Sequence, residues 1–187
     1  MKRFAGFTLI ELLITITILA IVVAIALPPF TSFIKHYKNK SKQFELFEIL
    51  VLMRNKAYYE NISYTLCARG QDEKCADNWT NGALLFADHN KNGSLDSGET
   101  ITRKFTLENK ASLSWNYFGS KNYVIFNPNG ETPSQSGNFR YCPATNEAEY
   151  GWIIILNIIG RPYFGKDSDG DGIVETGSQL NLTCPQT

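Results

Sequence analysis

The chain has 187 residues, and its 18 basic and 18 acidic side chains give a formal net charge of zero. This length suits one domain of ordinary size plus a membrane segment. The balanced charge excludes the strongly basic composition of dedicated nucleic-acid-binding proteins, although a local basic patch remains open.

An apolar segment occupies residues 7–27, and four polar side chains interrupt it: Thr8, Glu11, Thr15 and Thr17. About 20 apolar residues in a helix match the roughly 30 Å hydrocarbon core of a bilayer. Lys2 and Arg3 precede the segment, which predicts a cytoplasmic N-terminus and an exported C-terminal region. No small-residue cleavage site follows the segment, as an ordinary secretory signal would require. The segment is therefore predicted to be a transmembrane helix.

Glu11 is the one charged residue of this segment. A lone carboxylate costs about 2.5 to 3.5 kcal/mol at the centre of a bilayer helix, so it usually has a partner. Two interpretations are open. The carboxylate lies near the headgroups, where the cost largely vanishes, or it pairs with an amine of a neighbouring subunit.

Residues 6–13, with the sequence GFTLIELL, resemble the class III signal of type IV pilins and type II secretion pseudopilins. In that superfamily a prepilin peptidase cuts after the glycine and methylates the new N-terminal phenylalanine. The resemblance implies a leader peptide at residues 1–6, cleavage between Gly6 and Phe7, and N-methylation of Phe7. It also implies that residues 7–27 form an assembly helix in which Glu11 pairs with the Phe7 amine of a neighbour.

Beyond the apolar segment, Pro28 and Pro29 are expected to kink the helix. Apolar residues then recur at three- and four-residue spacings as far as Glu60, which predicts an amphipathic continuation over residues 28–60 that packs on a globular body. The predicted stripe comprises Phe30, Phe33, Ile34, Tyr37, Phe44, Phe47, Val51 and Tyr58.

From residue 61 on, short segments rich in β-branched and aromatic residues alternate with Gly, Asn, Asp and Pro. One long helix followed by such segments predicts an α+β fold with antiparallel sheets, and an exported β-rich domain over residues 61–187. The predicted strands are 62–67, 83–87, 100–106, 111–117, 122–126, 138–142, 150–158 and 179–184.

All four cysteines lie on the predicted exported side, where an even number indicates two disulfides. Four cysteines allow three pairings. We favour Cys67 with Cys75, which closes a short loop, and Cys142 with Cys184, which ties the C-terminus to a strand. A zinc site is disfavoured because no two cysteines have C-x-x-C spacing.

A second set of residues resembles the GspH/FimT-like minor pilins and pseudopilins, and the resemblance extends over essentially the whole chain. The matching residues are Leu66–Cys67, Cys75, Trp79, Gly82, residues 85–88, Asn92–Gly93, Asp96, Gly98–Glu99, residues 126–130 and Gly160–Arg161. The resemblance implies the type IV pilin fold and a low-abundance subunit that helps initiate or cap a pilus or pseudopilus. Its implied partners are other minor and major pilins, the prepilin peptidase and the inner membrane, with a single-pass topology, a periplasmic domain and no small-molecule substrate.

Two loops have oxygen ligands at spacings typical of calcium sites. The first matches the twelve-residue pattern D-x-[DN]-x-[DN]-G-x5-E, with Asp88, Asn90, Asn92 and Glu99 as ligands, although its flanks are predicted strands rather than helices. The second loop carries Asp167, Asp169, Asp171 and Glu175. Closely spaced carboxylates favour a hard cation, but a solvated turn remains the alternative at both loops. No other cofactor is expected.

Some relatives have a C-terminal Gly-Arg-x-Arg motif and bind DNA for natural transformation. This chain has Gly160-Arg161-Pro162-Tyr163, so the second arginine is missing. Arg161, Tyr163 and Lys166 are the candidate DNA-binding residues, because aromatic side chains beside cations can stack on bases. The acidic loop that follows would repel the DNA backbone. No nucleophile motif, P-loop or zinc-protease motif is present in the sequence, so we expect that the protein is not an enzyme.

Overall fold

The computed structural model describes residues 6–119 and 122–185, without the side chains of residues 26–29. Lys2 and Arg3, which carry the predicted orientation signal, lie outside the described residues. The chain divides after Lys38 into two compact units.

Helix α1 spans Leu9–Glu60 and ends at the residue where the periodicity predicted its end. Asn61, directly after it, has a positive φ of 55°, a conformation that asparagine adopts more readily than most residues and that stops a helix. Among the described residues, no single helix is long and apolar enough to cross a membrane. By length and composition alone, the bent pair Leu9–Ile25 and Phe30–Glu60, with 41° between its parts, meets that requirement.

Eight strands follow the helix in the described part of the chain. They are β1 (Tyr64–Ala68), β2 (Ala83–Ala87), β3 (Ile101–Phe105), β4 (Ser112–Tyr117), β5 (Tyr123–Phe126), β6 (Gly137–Cys142), β7 (Trp152–Leu156) and β8 (Pro162–Phe164). They form two antiparallel sheets, ordered β3-β2-β1-β5 and β4-β6-β7-β8. A short 3₁₀ helix, Ala148–Tyr150, precedes β7. The predicted α+β fold with antiparallel sheets is confirmed.

Seven of the predicted strands agree with β1 to β7 within two residues at each end. The eighth, 179–184, is wrong, because this segment makes only an isolated bridge between Glu175 and Asn181. Leu182 is buried against Cys142 and Ile153, and its amide donates to the Val174 carbonyl over 2.9 Å, so packing and a few backbone bonds hold the segment. Strand β8 was missed because its proline looks like a turn residue, yet proline is tolerated on an edge strand.

The second unit is built around one hydrophobic core to which both sheets and α1 contribute. Among the described residues, the buried side chains of α1 are Gln43, Leu46, Ile49, Leu50, Met53 and Ala57. The predicted stripe is therefore only partly right in this region: Phe47 packs against the core, but Phe44 is 47% exposed and Tyr58 is 64% exposed. The aromatic residues border the core rather than fill it.

The free edge of β5 is covered by the side chain of Gln135, which is only 2% exposed. Its Nε2 donates to the Tyr123 carbonyl over 2.9 Å, and its Oε1 accepts from the Ile125 amide over 2.8 Å. A side-chain amide carries the same donor and acceptor pair as a peptide group. Gln135 therefore occupies the position of a fifth strand in the first sheet.

Candidate functional site

The start of α1 carries the residues predicted to be processed. Gly6 and Phe7 precede the first helical residue, Leu9, and have no regular secondary structure. Phe7 is 86% exposed, and the space beside Gly6 is open to at least 4 Å. The peptide bond between Gly6 and Phe7 is therefore accessible and lies outside the helix, as a protease substrate must be. Cleavage and methylation stay predictions.

Thr8 and Glu11 form a capping box at this helix start. The Glu11 amide donates to Thr8 Oγ1 over 3.3 Å, and the Thr8 amide donates to Glu11 Oε2 over 3.5 Å. The first helical bond runs from the Leu12 amide to the Thr8 carbonyl over 3.2 Å. In this arrangement the N-cap threonine and the glutamate three residues later satisfy two of the unpaired amides of the first turn. The T-x-x-E spacing could have revealed this role of Thr8 from the sequence.

The segment after Glu11 has an apolar surface in all directions. Its large side chains from Leu12 to Ile25 are all substantially exposed. The two polar groups within it are satisfied by the helix itself, because the hydroxyls of Thr15 and Thr17 donate to the carbonyls three residues earlier, over 2.7 and 2.8 Å. A helix that presents apolar side chains and no unsatisfied hydroxyl suits a lipid or a bundle of similar helices.

Disulfides join Cys67 to Cys75 and Cys142 to Cys184 in the second unit. These are the pairs that the sequence analysis favoured. The first closes a short loop after β1, and the second fixes the C-terminal segment to the end of β6. Cys142 lies in one small buried cluster with Ile153 and Leu182. The second disulfide therefore holds Leu182, in the C-terminal segment, against Ile153 of β7.

The first predicted calcium loop is organised by protein donors. Asp88 is fully buried and accepts hydrogen bonds from Thr65 Oγ1, at 2.7 Å, and from the Gly93 amide, at 2.9 Å. Glu99 accepts from the amides of His89 and Asp96, both at 3.0 Å. The carboxylates therefore stabilise the loop whether or not a cation binds there.

The second predicted loop brings three carboxylates closer together. One oxygen each of Asp167, Asp169 and Glu175 lies within 4.8 Å of the others. Asp171 does not belong to this group, and its carboxylate instead accepts a hydrogen bond from the side-chain Nδ2 of Asn181. Glu175 is almost completely buried and accepts from the amide of Ser168 over 2.9 Å. Calcium binding at either loop stays a prediction.

The predicted DNA-binding residues lie on and beside β8, at the edge of the second sheet. The turn before β8 requires Gly160, because a Cβ there would lie 2.1 Å from the Gly130 carbonyl oxygen and φ is +73°. Arg161 follows this turn and is exposed, and its amide donates to Asn157 Oδ1 over 2.8 Å. Tyr163 and Lys166 border a common depression of about 170 Å³ that Glu175 also lines.

The strand register adds residues that the sequence analysis missed. Ile155 pairs with Tyr163 on one side and with Asn138 on the other. Since alternate residues share a face, Tyr163, Asn138 and Arg140 lie on the same side of the sheet. Arg140 Nε donates to Asn138 Oδ1 over 2.8 Å, which holds the guanidinium against this face. No sequence signal relates Arg140 to Tyr163, because only the register across β7 brings them together.

Comparisons with known proteins agree with this architecture. A family model described as type II transport protein GspH matches residues 45–160, and one described as the prokaryotic N-terminal methylation motif matches residues 1–27. No curated protein matches the chain significantly.

Two solved structures share the fold. The type IV minor pilin FimU of Pseudomonas aeruginosa superposes with a TM-score of 0.56 and 17% identity, over 82% of this chain and 99% of that one. The minor pseudopilin EpsH of the type II secretion system of Vibrio cholerae superposes with a TM-score of 0.50 and 14% identity, over 70% of this chain and 96% of that one.

An apolar helix that begins with a methylation motif, followed by two antiparallel sheets, defines a membrane-anchored subunit with the type IV pilin fold. The GspH model covers more than half of the chain, and the chain belongs to the GspH family. As a member of this family with a methylation motif, it is a minor pilin or minor pseudopilin, a class of subunits that assemble with other pilins. The members of this family are structural subunits and are not known as enzymes.

Proposed function

We propose that the protein is a minor pilin that helps initiate or cap a type IV pilus, and that it acts without catalysis. The observation that carries this proposal is the surface of α1 from Leu9 to Ile25, which is apolar on all sides and contains one carboxylate, Glu11. Such a helix suits insertion into a membrane before assembly and packing against similar helices afterwards. The likeness to FimU, described as a type IV minor pilin, supports the choice of a pilus.

Glu11 is the residue that would fix the position of the subunit along the filament axis, by pairing with a neighbour. A carboxylate has about four acceptor sites, and the capping bond to Thr8 uses one of them. The exposed carboxylate therefore keeps acceptors for the Phe7 amine of a neighbour after a peptidase has cut between Gly6 and Phe7. In a low-dielectric helix bundle such a pair is strongly coupled, because loss of one partner leaves an uncompensated charge.

The membrane orientation follows from the same interpretation. Lys2 and Arg3 hold the leader in the cytoplasm, where a prepilin peptidase removes it, and residues from Asn39 on lie in the periplasm. Two disulfides in this unit support an oxidising compartment, since disulfides are rare in cytosolic proteins.

The test is to shear and count surface filaments from cells that carry the intact gene, a deletion, or a deletion complemented with Glu11→Gln. The proposal predicts few filaments in the deletion strain and poor rescue by Glu11→Gln. Complementation with Asn55→Ala, an exposed substitution on the same helix but in the other unit, should restore filaments fully. Normal filaments in the deletion strain with lost protein secretion would instead assign the subunit to a type II secretion pseudopilus.

DNA binding is a second candidate function, and the register of the second sheet favours it. Arg161 and Tyr163 are two residues apart and therefore lie on one face of the sheet. Arg140 and Asn138 lie on the same face, two strands away. Two arginines, an amide and a half-exposed aromatic ring provide phosphate contacts and a stacking platform. Arg140 thus supplies a second arginine, which this chain lacks at the motif position occupied by Tyr163. Normal filaments with lost DNA uptake would favour this function.

A further inference from the structure

A cleft of about 740 Å³ lies at one end of the strands of the second unit. It is built from the segments after β1, before β2, between β3 and β4, and after β6. Small-molecule sites typically occupy roughly 300 to 1,000 Å³. The cleft therefore has the size of a ligand site, and it is separate from α1 and from the face that carries Arg161.

Carboxamide side chains form part of the lining of this cleft. The four are Gln71, Asn81, Asn109 and Asn146. Within residues 6–119 and 122–185, none of their side chains donates or accepts a hydrogen bond. By contrast, the side-chain amides of Asn90 and Asn92, in the first predicted calcium loop, both donate to the Asp96 carboxylate over 2.8 Å. Each carboxamide offers two donors and one acceptor, so the cleft presents several polar groups without protein partners.

Charged residues in and beside the cleft form surface ion pairs. Arg69 Nη2 contacts Glu73 Oε1 over 3.3 Å, and Glu73 also pairs with Lys104. The hydrogen bond from Lys104 holds the pKa of Glu73 below its ordinary value. Lys110 and Asn146 line the cleft with positive φ values of 68° and 57°.

The lining restricts the chemistry of a ligand. No aromatic side chain is among the described residues that line the cleft, so a nucleobase or a planar cofactor finds no stacking partner. Apolar contacts are limited to Leu107, Ala111 and Pro185. The charged lining residues Arg69, Lys110 and Glu108 give the cleft a small net charge, so it offers a polyanion no cluster of cations. A neutral ligand with many hydroxyl groups matches this set, because each hydroxyl both donates and accepts.

We propose that this cleft binds a short oligosaccharide through the carboxamides of Gln71, Asn81, Asn109 and Asn146. The chain would then be a filament subunit with a lectin-like site, and this inference does not depend on which filament it joins.

The test is isothermal titration of the full chain in dodecylphosphocholine micelles, a detergent without a sugar headgroup. Triacetylchitotriose and maltotriose serve as probes, one with acetamido groups and one with hydroxyls only. At least one trisaccharide should bind. The double variant Gln71→Ala/Asn109→Ala, at two exposed positions, should weaken binding by about tenfold or more, because each hydrogen bond contributes roughly a few-fold in affinity. Asn55→Ala, an exposed asparagine on α1, is the matched control and should leave the affinity unchanged.

Chemical shifts of the side-chain amides provide a second measurement on the unaltered chain. Saturating sugar should shift the side-chain amide signals of Gln71 and Asn146 and leave those of Asn55 in place. If neither sugar binds at millimolar concentration, the proposal is wrong. Binding that the double variant leaves unchanged would also overturn it, because the sugar would then occupy another surface.

Discussion

Thr8 and Glu11 exchange two hydrogen bonds across the first turn of α1, so the carboxylate expected to meet a neighbour already serves its own helix. Cleavage between Gly6 and Phe7 would leave a free amine one residue before Thr8, close to the same carboxylate. If the proposed assembly role is correct, Glu11 has two separable roles, one as a cap within the subunit and one as a charge between subunits.

Substitution of Glu11 should separate these roles. Glu11→Gln keeps an acceptor for the Thr8 amide but removes the charge, whereas Glu11→Ala removes both. Both variants should lower incorporation into sheared filaments by about tenfold or more, since 1.4 kcal/mol of lost pairing already gives that factor. Only Glu11→Ala should lose hydrogen-exchange protection in the first turn, by about 1 kcal/mol.

Thr8→Ala is the matched control for this pair, because it removes the capping hydroxyl and leaves the carboxylate. It should reduce first-turn protection while filament incorporation stays near normal. Poor incorporation of Thr8→Ala together with normal incorporation of Glu11→Gln would mean that capping, not charge, is what assembly requires.

The two disulfides should differ in their effect on stability. Cys142 and Cys184 are 42 residues apart and Cys67 and Cys75 are 8 apart. Loop-closure entropy then assigns about 4 kcal/mol to the longer link and about 2.5 kcal/mol to the shorter one. Serine replacement of Cys142 and Cys184 should therefore lower the free energy of unfolding more than replacement of the other pair, in denaturant titrations of the full chain. Equal losses would contradict the entropic account.

Calcium binding, predicted from the sequence, should be visible as thermal stabilisation. A ligand at a hundredfold excess over its Kd stabilises the folded state by about 2.7 kcal/mol. Millimolar calcium should raise the melting temperature of the full chain, and Asp169→Asn should reduce the increase if the second loop is the site. Asp72→Asn, at an exposed carboxylate elsewhere, should not. The absence of any shift would exclude both loops.

Alkaline pH should destabilise the second unit through Tyr141. Burial, with a smaller contribution from the Glu108 carboxylate, raises the pKa of Tyr141 to about 12. The unfolded chain loses this proton near pH 10. The stabilisation is therefore complete below about pH 10 and is lost as the pH rises towards 12. Tyr141→Phe should flatten this decline in melting temperature.

The same variant should cost about 1 kcal/mol at neutral pH, because the Tyr141 hydroxyl donates to Asn39 Oδ1 over 3.0 Å. Tyr163→Phe, at an exposed tyrosine, is the control and should leave the alkaline decline unchanged. An equal decline in Tyr141→Phe and in the unaltered chain would assign alkaline unfolding to another group.

DNA affinity should depend on both arginines of the second sheet if the second candidate function is correct. Arg161→Ala and Arg140→Ala should each weaken binding of a DNA duplex and reduce the slope of log K against log salt by about 1. Arg103→Ala, an exposed arginine on the first sheet, is the matched control. A titration that neither Arg161→Ala nor Arg140→Ala changes would remove DNA binding as a function.

Local chemistry explains what the sequence could predict. The helix end at Glu60 and the strands β1 to β7 follow from periodicity and from turn residues, which act over a few positions. The capping role of Thr8 was equally local, and its T-x-x-E spacing was overlooked.

Other features depend on contacts between distant segments. Residues 179–184 have strand-like composition, but they make only an isolated bridge, and Leu182 is held by packing on Ile153 and by the nearby disulfide. Arg140 joins the face of Tyr163 only through the register of β7 with its two neighbours. The buried side of α1 was also misassigned, because aromatic residues such as Phe44 are large enough to border a core without entering it.

Gln135 also affects how subunits interact with one another before they assemble. An uncovered edge strand can recruit a strand from another molecule, which leads to aggregation. Gln135 occupies the edge at β5, and at the opposite edge of that sheet Arg103 and Lys104 present exposed charges. Copies that accumulate in one membrane are therefore protected against joining edge to edge through this sheet.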